Sequence, residues 1–394
     1  MIDPGKPISS LLVTHSPRWN GETEYAFGVI QAGVEMGIKT TVVAPRDCVL
    51  ARKVAGSVRL LDFPGRDPSS SSVCFFRSLI RLTRLIDEGD FDILHSCRAT
   101  AHLLTALAAR NRVPLLHLRG GAKKPYGHPG NRLLYRKLSA GVIVSSKRVE
   151  NWMTGNLKVP PERVHRILAP VDTDGFRPGS PDFSLFDELK IPRGVPLVVK
   201  VARLAPIKGH PVLLEAMAEV RRRVPGSVLV LVGGPFEGQD EIIRRRIGEL
   251  GLEGAVIMTG RRNDIPRFLS AATVCVSSSL GSEENSRAVG EYMASGRPVA
   301  ATTVGVIPEM VADGVTGRLV PPRDPGALAE AIAALLEDRE RAEQMGAAGR
   351  ERAEKEFSRR AFARRLRVVL DSLGIRRTDN ITSAFQFIRG EKRR

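Results

Sequence analysis

Sulfur is scarce in this chain: 4 cysteines, Cys48, Cys74, Cys97 and Cys275, lie far apart among 394 residues, with no Cys-x-x-Cys pair. The spacing fits free thiols in a reducing compartment better than a disulfide framework or a thiolate zinc site. Aromatic residues make up only 5%, too few for the stacking platforms on which single-stranded nucleic acid is bound. With no nucleic-acid motif either, no nucleic-acid partner is expected. Long apolar runs are missing too. Those present, such as 227–232, fall far short of the ~20 residues a spanning helix needs. The first residues hold Asp3, Pro4, Gly5 and Lys6 before a short apolar run, without the basic start and small-residue cleavage site of an export signal. The expectation is a cytoplasmic protein.

One further absence is local. Residues 93–149 contain no Asp or Glu but eleven Lys and Arg, within a chain of net charge +17. Such a stretch suits an anionic partner, either a phosphorylated acceptor or anionic lipid headgroups, where each basic group near the surface contributes about 1 kcal/mol. A surface that is merely solubilising is the plainer reading. The segment 131–138 sets Leu133, Leu134, Tyr135 and Leu138 among Arg132, Arg136 and Lys137, a pattern suited to a helix lying in a membrane interface. A peripheral position on the cytoplasmic face follows as an expectation.

Short, often β-branched apolar runs alternate with helical patterns along most of the chain, the signature of βα units and parallel sheets, so the fold class is α/β. Strands are expected at 8–13, 40–44, 93–95, 114–118 and 141–144, and again at 196–201, 227–232, 256–259, 273–277 and 298–302. Helices are expected at 26–36, 210–223, 240–251 and 327–336. Pro170, Pro178, Gly179, Pro181, Pro192 and Gly194 crowd between the two groups and break regular structure. Two domains are expected, 1–180 and 181–374, with a basic tail, 375–394, packing back on the first.

Chemistry enters with Arg203 and Lys208, which follow the expected strand 196–201 and precede a helix. At the carboxyl end of a parallel strand, where ligands bind in open α/β sheets, a guanidinium and an ammonium can neutralise a diphosphate. The second group is Glu283-Glu284-Asn285-Ser286-Arg287-Ala288-Val289-Gly290-Glu291. A helix starting near Ser286 leaves Glu283 in the preceding loop and Glu291 on its second turn. The free amides of Ser286, Arg287 and Ala288 then suit phosphate oxygens, although Ser286 could equally be a plain N-cap.

Taken together with Leu231-Val232-Gly233-Gly234-Pro235, Thr259-Gly260-Arg261-Arg262, Ala294-Ser295-Gly296-Arg297-Pro298, Gly305-Val306-Ile307-Pro308-Glu309 and Gly314-Val315-Thr316-Gly317, these motifs resemble glycosyltransferase family 4. That resemblance implies the GT-B fold, two Rossmann-like domains facing each other across a cleft, and retaining transfer of a hexosyl sugar from a nucleoside diphosphate donor, UDP or GDP. The acceptor it implies is a glycan or lipid-linked molecule of envelope polysaccharide or lipopolysaccharide synthesis. No cofactor or essential metal is implied. Arg203 and Lys208 would bind the donor diphosphate, Glu283 the sugar hydroxyls and Glu291 the ribose, with Gly233 and Arg261 among the donor-binding residues. Trp19-Asn20-Gly21-Glu22 stands where the family has a glycine-rich loop, so Gly21 would approach a phosphate. His95-Ser96-Cys97 stands where the family often reads His-x-His, which makes His95 the candidate catalytic imidazole and leaves Cys97 in place of the second. Glu284 replaces a usual glycine and adds a charge near the sugar. The alternatives are a sugar-nucleotide epimerase of the same fold and a catalytically inactive nucleotide-sugar binder, the latter suggested by Cys97 and Glu284.

Overall fold

The computed structural model describes residues 6–17, 19–63, 68–121, 125–281 and 283–376. Among the described residues, thirteen strands form two wholly parallel sheets. The first contains β1 (Ser9–Thr14), β2 (Lys39–Ala44), β3 (Arg59–Asp62), β4 (Ile93–Cys97), β5 (Leu115–Arg119), β6 (Gly141–Val144) and β7 (Val164–Arg166) in the order β3-β2-β1-β4-β5-β6-β7. The second contains β8 (Leu197–Val201), β9 (Val228–Val232), β10 (Val256–Gly260), β11 (Val274–Ser277), β12 (Val299–Thr302) and β13 (Gly317–Val320) in the order β10-β9-β8-β11-β12-β13. Each order reverses once, between β1 and β4 and between β8 and β11, and a doubly wound sheet binds ligands beyond the carboxyl ends of its strands at such a reversal. Each sheet is buried on both faces by apolar clusters, as parallel sheets covered by helices require.

Strands with an unbroken apolar run are where the sequence placed them. The unforeseen ones, β3, β7 and β13, all lie at sheet edges. Edge strands need no continuous apolar face, and these are short and carry Arg59 and Asp62, His165 and Arg166, and Arg318 respectively. The helix Gly21–Glu35 starts five residues before the expected 26. Asn20 caps it through Glu22 and Thr23 amides, and Thr23 returns the bond to the Asn20 backbone, so its polar first turn is held by capping and not by an apolar stripe.

Two expectations need correction. The helix Arg359–Ser372, assigned by sequence to the second domain, packs against the Gly21–Glu35 helix, and its Phe362, Leu366, Val369 and Leu370 lie in the core of the first unit with Ile375. The chain crosses back where Val171 N donates to Phe357 O at 2.8 Å and Arg359 pairs with Asp172 at 2.8 Å. An amphipathic helix follows whichever apolar surface it can cover, and sequence distance does not restrict that choice. The rest of the basic tail, 377–394, lies outside the described residues. The second correction concerns the proposed interfacial helix, observed as Pro129–Lys137. Leu134 and Tyr135 are buried, leaving Leu133 as its exposed apolar side chain. Its apolar face serves the core. No helix of the described residues is long and apolar enough to cross a membrane.

The returning helix makes a direct prediction. Phe362, 1% exposed, meets Tyr25 edge-on at 6.1 Å between ring centroids, so Phe362→Ala should destabilise the fold by about 3–5 kcal/mol. Urea unfolding of the two proteins checks this; a change under about 1 kcal/mol would show that the helix is not part of that core.

Candidate active site

The second sheet's reversal point gathers the cations and carboxylates singled out in the sequence. Lys208 follows β8, and its ammonium pairs with the carboxylate of Glu283, which lies beyond β11. The same Glu283 oxygen accepts from Ser279 Oγ at 2.5 Å. Its backbone carbonyl accepts from Val306 N at 2.7 Å, while a Cβ on Gly305, whose φ is +58°, would stand 2.1 Å from that carbonyl oxygen. Glycine is thus required for the loop to lie this close. Gly233 has the same role at the end of β9, where a Cβ would stand 1.8 Å from Ala202 O. Arg203 and Arg261 are exposed at the mouth, with the Arg203 guanidinium 5.5 Å from the Phe236 ring centre.

Lys200 lies beneath this surface, unanticipated although a lysine within Leu-Val-Val-Lys-Val is itself a signal. Only 2% exposed, it donates to Lys208 O and Ser278 Oγ, each at 2.7 Å. Burial, reinforced by the Lys208 charge, pushes its pKa down to about 7. Ser278 Oγ in turn donates to Gly209 O at 2.9 Å, so a buried amine and hydroxyl fix the backbone that carries Lys208.

The helix Arg287–Ala294 starts at Ser286, whose φ of 32° and ψ of 52° are left-handed and whose side chain makes no cap. The reading of Ser286 as an ordinary N-cap therefore fails. Among the described residues no side chain caps the first-turn amides, including those of Arg287 and Ala288, which is the state that suits an anion. Glu291 is buried one turn further in. Burial raises its pKa to about 7, against the lowering effect of Arg287, whose Nε lies 3.1 Å from Glu291 Oε1. Arg287 also reaches across to Glu24 of the first unit, 3.5 Å away.

The two units meet at Gly21. A Cβ there would stand 2.2 Å from Asn285 Nδ2 and 2.9 Å from Gly120 O, and Asn285 Nδ2 donates to Gly120 O at 3.1 Å. Gly21 is thus placed against the second unit's loop, a contact only a residue without Cβ permits. Glu284 does not leave a bare charge near the sugar pocket, as its sequence position suggested. Its carboxylate accepts from Ser146 Oγ at 2.8 Å and pairs with Arg148, both of the first unit.

His95 is not brought to the mouth. It lies within β4 opposite Leu12 and Leu116, 3% exposed with Nδ1 unpartnered, and burial lowers its pKa to about 4. The groups at the ends of β4 and β5 are Arg98 and Arg119. Cys97, next to Arg98, gives its thiol hydrogen to Glu22 O at 3.0 Å, and burial raises its pKa well above the usual range, so it is no substitute for an imidazole. The Asp-x-Asp spacings Asp90-Phe91-Asp92 and Asp172-Thr173-Asp174 are tied into the fold: Asp92 accepts from Ser9 N at 2.7 Å, Asp90 pairs with Lys6, and Asp172 pairs with Arg359. Among the described residues no group of three His, Cys, Asp or Glu side chains is placed to hold a metal.

Comparison with known proteins agrees with this geometry. Residues 19–174 match the model of Glycosyltransferase Family 4, and residues 195–338 that of Glycosyl transferases group 1. A GDP-mannose-dependent alpha-(1-6)-phosphatidylinositol monomannoside mannosyltransferase of Mycobacterium tuberculosis is 31% identical over 69% of this chain and 74% of its own. Its counterpart in Mycolicibacterium smegmatis is 28% identical over 86% and 84%. Among solved structures, a glycosyltransferase from Rickettsia africae superposes with a TM-score of 0.83 at 20% identity, covering 93% of this chain and 99% of the other. Anabaena HepE in complex with UDP and glucose gives 0.77 at 21%, covering 93% and 100%. Fold and site define a GT-B glycosyltransferase that uses a nucleotide-sugar donor. The chain belongs to glycosyltransferase family 4, whose chemistry is retaining hexosyl transfer.

Glu291 supplies a pH prediction. Its folded pKa, about 7, lies above that of an unfolded glutamate, so ionising it in the fold removes stability as pH rises from ~4.5 through 7. The carboxylate, however, accepts two hydroxyl hydrogens where the neutral acid accepts fewer. Affinity for the nucleoside diphosphate should therefore rise between pH 6 and 8, and Glu291→Gln should flatten that dependence. Equal slopes by calorimetry would remove Glu291 from the nucleotide site.

Proposed function

We propose that this chain transfers a hexosyl residue from GDP- or UDP-sugar, with retention, to a lipid-linked or glycan acceptor of the cell envelope, working at the cytoplasmic face of a membrane. The observation that carries the reading is the Lys208–Glu283 pair at the mouth of the second sheet, beside the uncapped first turn of the Arg287–Ala294 helix. Cations and free amides suit a diphosphate, and a neighbouring carboxylate suits sugar hydroxyls. The GDP-mannose-dependent mannosyltransferases among the relatives support GDP as the first donor to test.

Departure of the diphosphate leaves negative charge on its terminal phosphate while the sugar becomes oxocarbenium-like. Arg203, Lys208 and the amides of Arg287 and Ala288 stabilise that charge, each aimed donor contributing about 3 kcal/mol in a water-poor site. The acceptor oxygen bonds to the anomeric carbon on the face the phosphate leaves, the bond from that carbon to the phosphate oxygen breaks, and the acceptor proton passes to the departing oxygen. Glu283, paired with Lys208, is a sugar-hydroxyl acceptor and not a covalent nucleophile. No bound metal takes part in this reading, which the structural engagement of Asp92 and Asp172 supports.

For the membrane, the best-suited surface is the helix Ser72–Glu88. Val73, Phe76 and Ile80 are exposed at 60%, 60% and 53%, and Arg77, Arg81 and Arg84 are exposed on the same face by helical spacing. That combination of apolar wedge and cations fits an interface with anionic lipid.

Lys208→Ala should lower turnover by about 10²-fold or more with the melting temperature retained, and EDTA should leave the wild type unchanged. Turnover within twofold of wild type would remove Lys208 from the reaction. Binding to vesicles containing phosphatidylglycerol should fall by about tenfold in Phe76→Ser/Arg81→Gln; equal binding of the variant would place the membrane contact elsewhere.

A further inference from the structure

The first sheet's reversal point holds an arrangement that donor binding does not use. Cys97 and Leu118 are register partners at the ends of β4 and β5; Arg98 and Arg119 follow them at these neighbouring strand ends, and both guanidiniums lie near enough to act on the Glu22 carboxyl. Arg119 is 5% exposed, and its Nε has no partner among the described residues. Arg98 donates to Ser16 Oγ at 3.4 Å from a backbone of φ 82° and ψ 150°, a region that is essentially glycine's. An arginine kept there at a conformational cost puts its guanidinium where a relaxed backbone would not. The nearby acid is Glu22, whose Oε1 would lie 2.8 Å from a Cβ on Gly121. Both guanidiniums act on Glu22, yet burial is the largest influence on it and its pKa is raised. One carboxylate does not neutralise two guanidiniums. Gly120, between Arg119 and Gly121, touches Asn285 of the donor loop, so the surplus positive charge adjoins the place where the donor sugar meets an acceptor.

We propose that Arg98 and Arg119 form a phosphate subsite for the acceptor, so that the molecule receiving the sugar carries a phosphate near its reacting hydroxyl. Paired guanidiniums in a partly dry cleft recognise phosphate oxygens through charge-assisted, directional bonds. Arg98, partly exposed, supplies the accessible arm, and Arg119, buried at the end of β5, supplies the fixed one. The inference rests on the glycosyltransferase reading and adds the chemical class of its second substrate. The phosphate could belong to a soluble phosphomonoester or to a lipid phosphodiester.

The test uses the full chain, first saturated with GDP or UDP to occupy the Arg203 and Lys208 side, then titrated with inorganic phosphate at constant ionic strength while the melting temperature is followed. The wild type should show a second, saturable rise. Arg98→Gln and Arg119→Gln should each weaken the phosphate response by about tenfold or more, the loss of one charge-assisted contact, with nucleotide affinity within twofold of wild type. Arg98→Gly separates binding from folding: glycine relaxes at this backbone position, so the variant should melt no lower than wild type and still lose the phosphate response. Lys208→Ala should do the reverse, losing the nucleotide response and keeping that to phosphate. A wild-type affinity for phosphate in Arg98→Gly, or no phosphate response in a wild type that responds to nucleotide, overturns the subsite and leaves the donor reading standing. A wild type that responds to no nucleotide overturns both. Stronger competition by glycerol 3-phosphate than by phosphatidylinositol vesicles supports the subsite with a soluble acceptor, and the opposite order supports it with a lipid one.

Discussion

Two carboxylates of the second unit end on one helix start of the first, and the relation between the sheets depends on that contact. Glu284 accepts from Ser146 Oγ and pairs with Arg148, while Glu309 accepts from Lys147 N at 2.7 Å and from Arg166 at 2.5 Å. Ser146 caps the helix Lys147–Gly155, so both acids meet the positive end of a helix dipole as well as two guanidiniums. Glu284 is almost wholly buried, and removing its partners would leave an uncompensated charge inside the protein. The carboxyl edges of both sheets therefore face each other, and the loops after β1, β5 and β11 touch at Gly21, Gly120 and Asn285.

Within the second unit, rigidity comes from polar groups that never reach solvent. Lys200 holds the carbonyl of Lys208, Ser278 holds that of Gly209, and Gly305 allows its loop to lie against Glu283. Each costs desolvation or conformational freedom, offset by directional bonds that set the position of one side chain at the mouth. Preorganisation of this kind lets a diphosphate be met by charges already in place, which is where electrostatic stabilisation of a leaving group is most effective.

Much of the fold was legible because a buried parallel strand must be an apolar run and a doubly wound sheet must alternate such runs with helices. Gly141–Val144 and Val228–Val232 satisfy that rule and were found. Arg59–Asp62 and Val164–Arg166 do not, being edge strands with polar ends, and were missed. Within the site, Arg203 and Lys208 were legible as cations after a predicted strand and Glu283 and Glu291 through the resemblance to the family's motif, and the structure brings Lys208 and Glu283 into contact. Arg98 and Arg119 were visible only as members of a basic stretch, because their pairing depends on the register of β4 with β5. His95 was over-read: its place two residues before a strand end keeps it inside the sheet.

The sequence by itself determined the α/β class, the two parallel sheets and the cations after the strand 196–201, since those follow from local apolar patterning and from loops next to predicted strands, while the carboxylates Glu283 and Glu291 were marked by resemblance to the family's motif. Only the tertiary structure decided that Arg359–Ser372 returns to the first unit, that Glu284 serves the contact between units, and that the Ser286 side chain does not cap its helix. Each depends on what lies across a gap of many residues or on a single backbone dihedral, and neither is written in composition or periodicity.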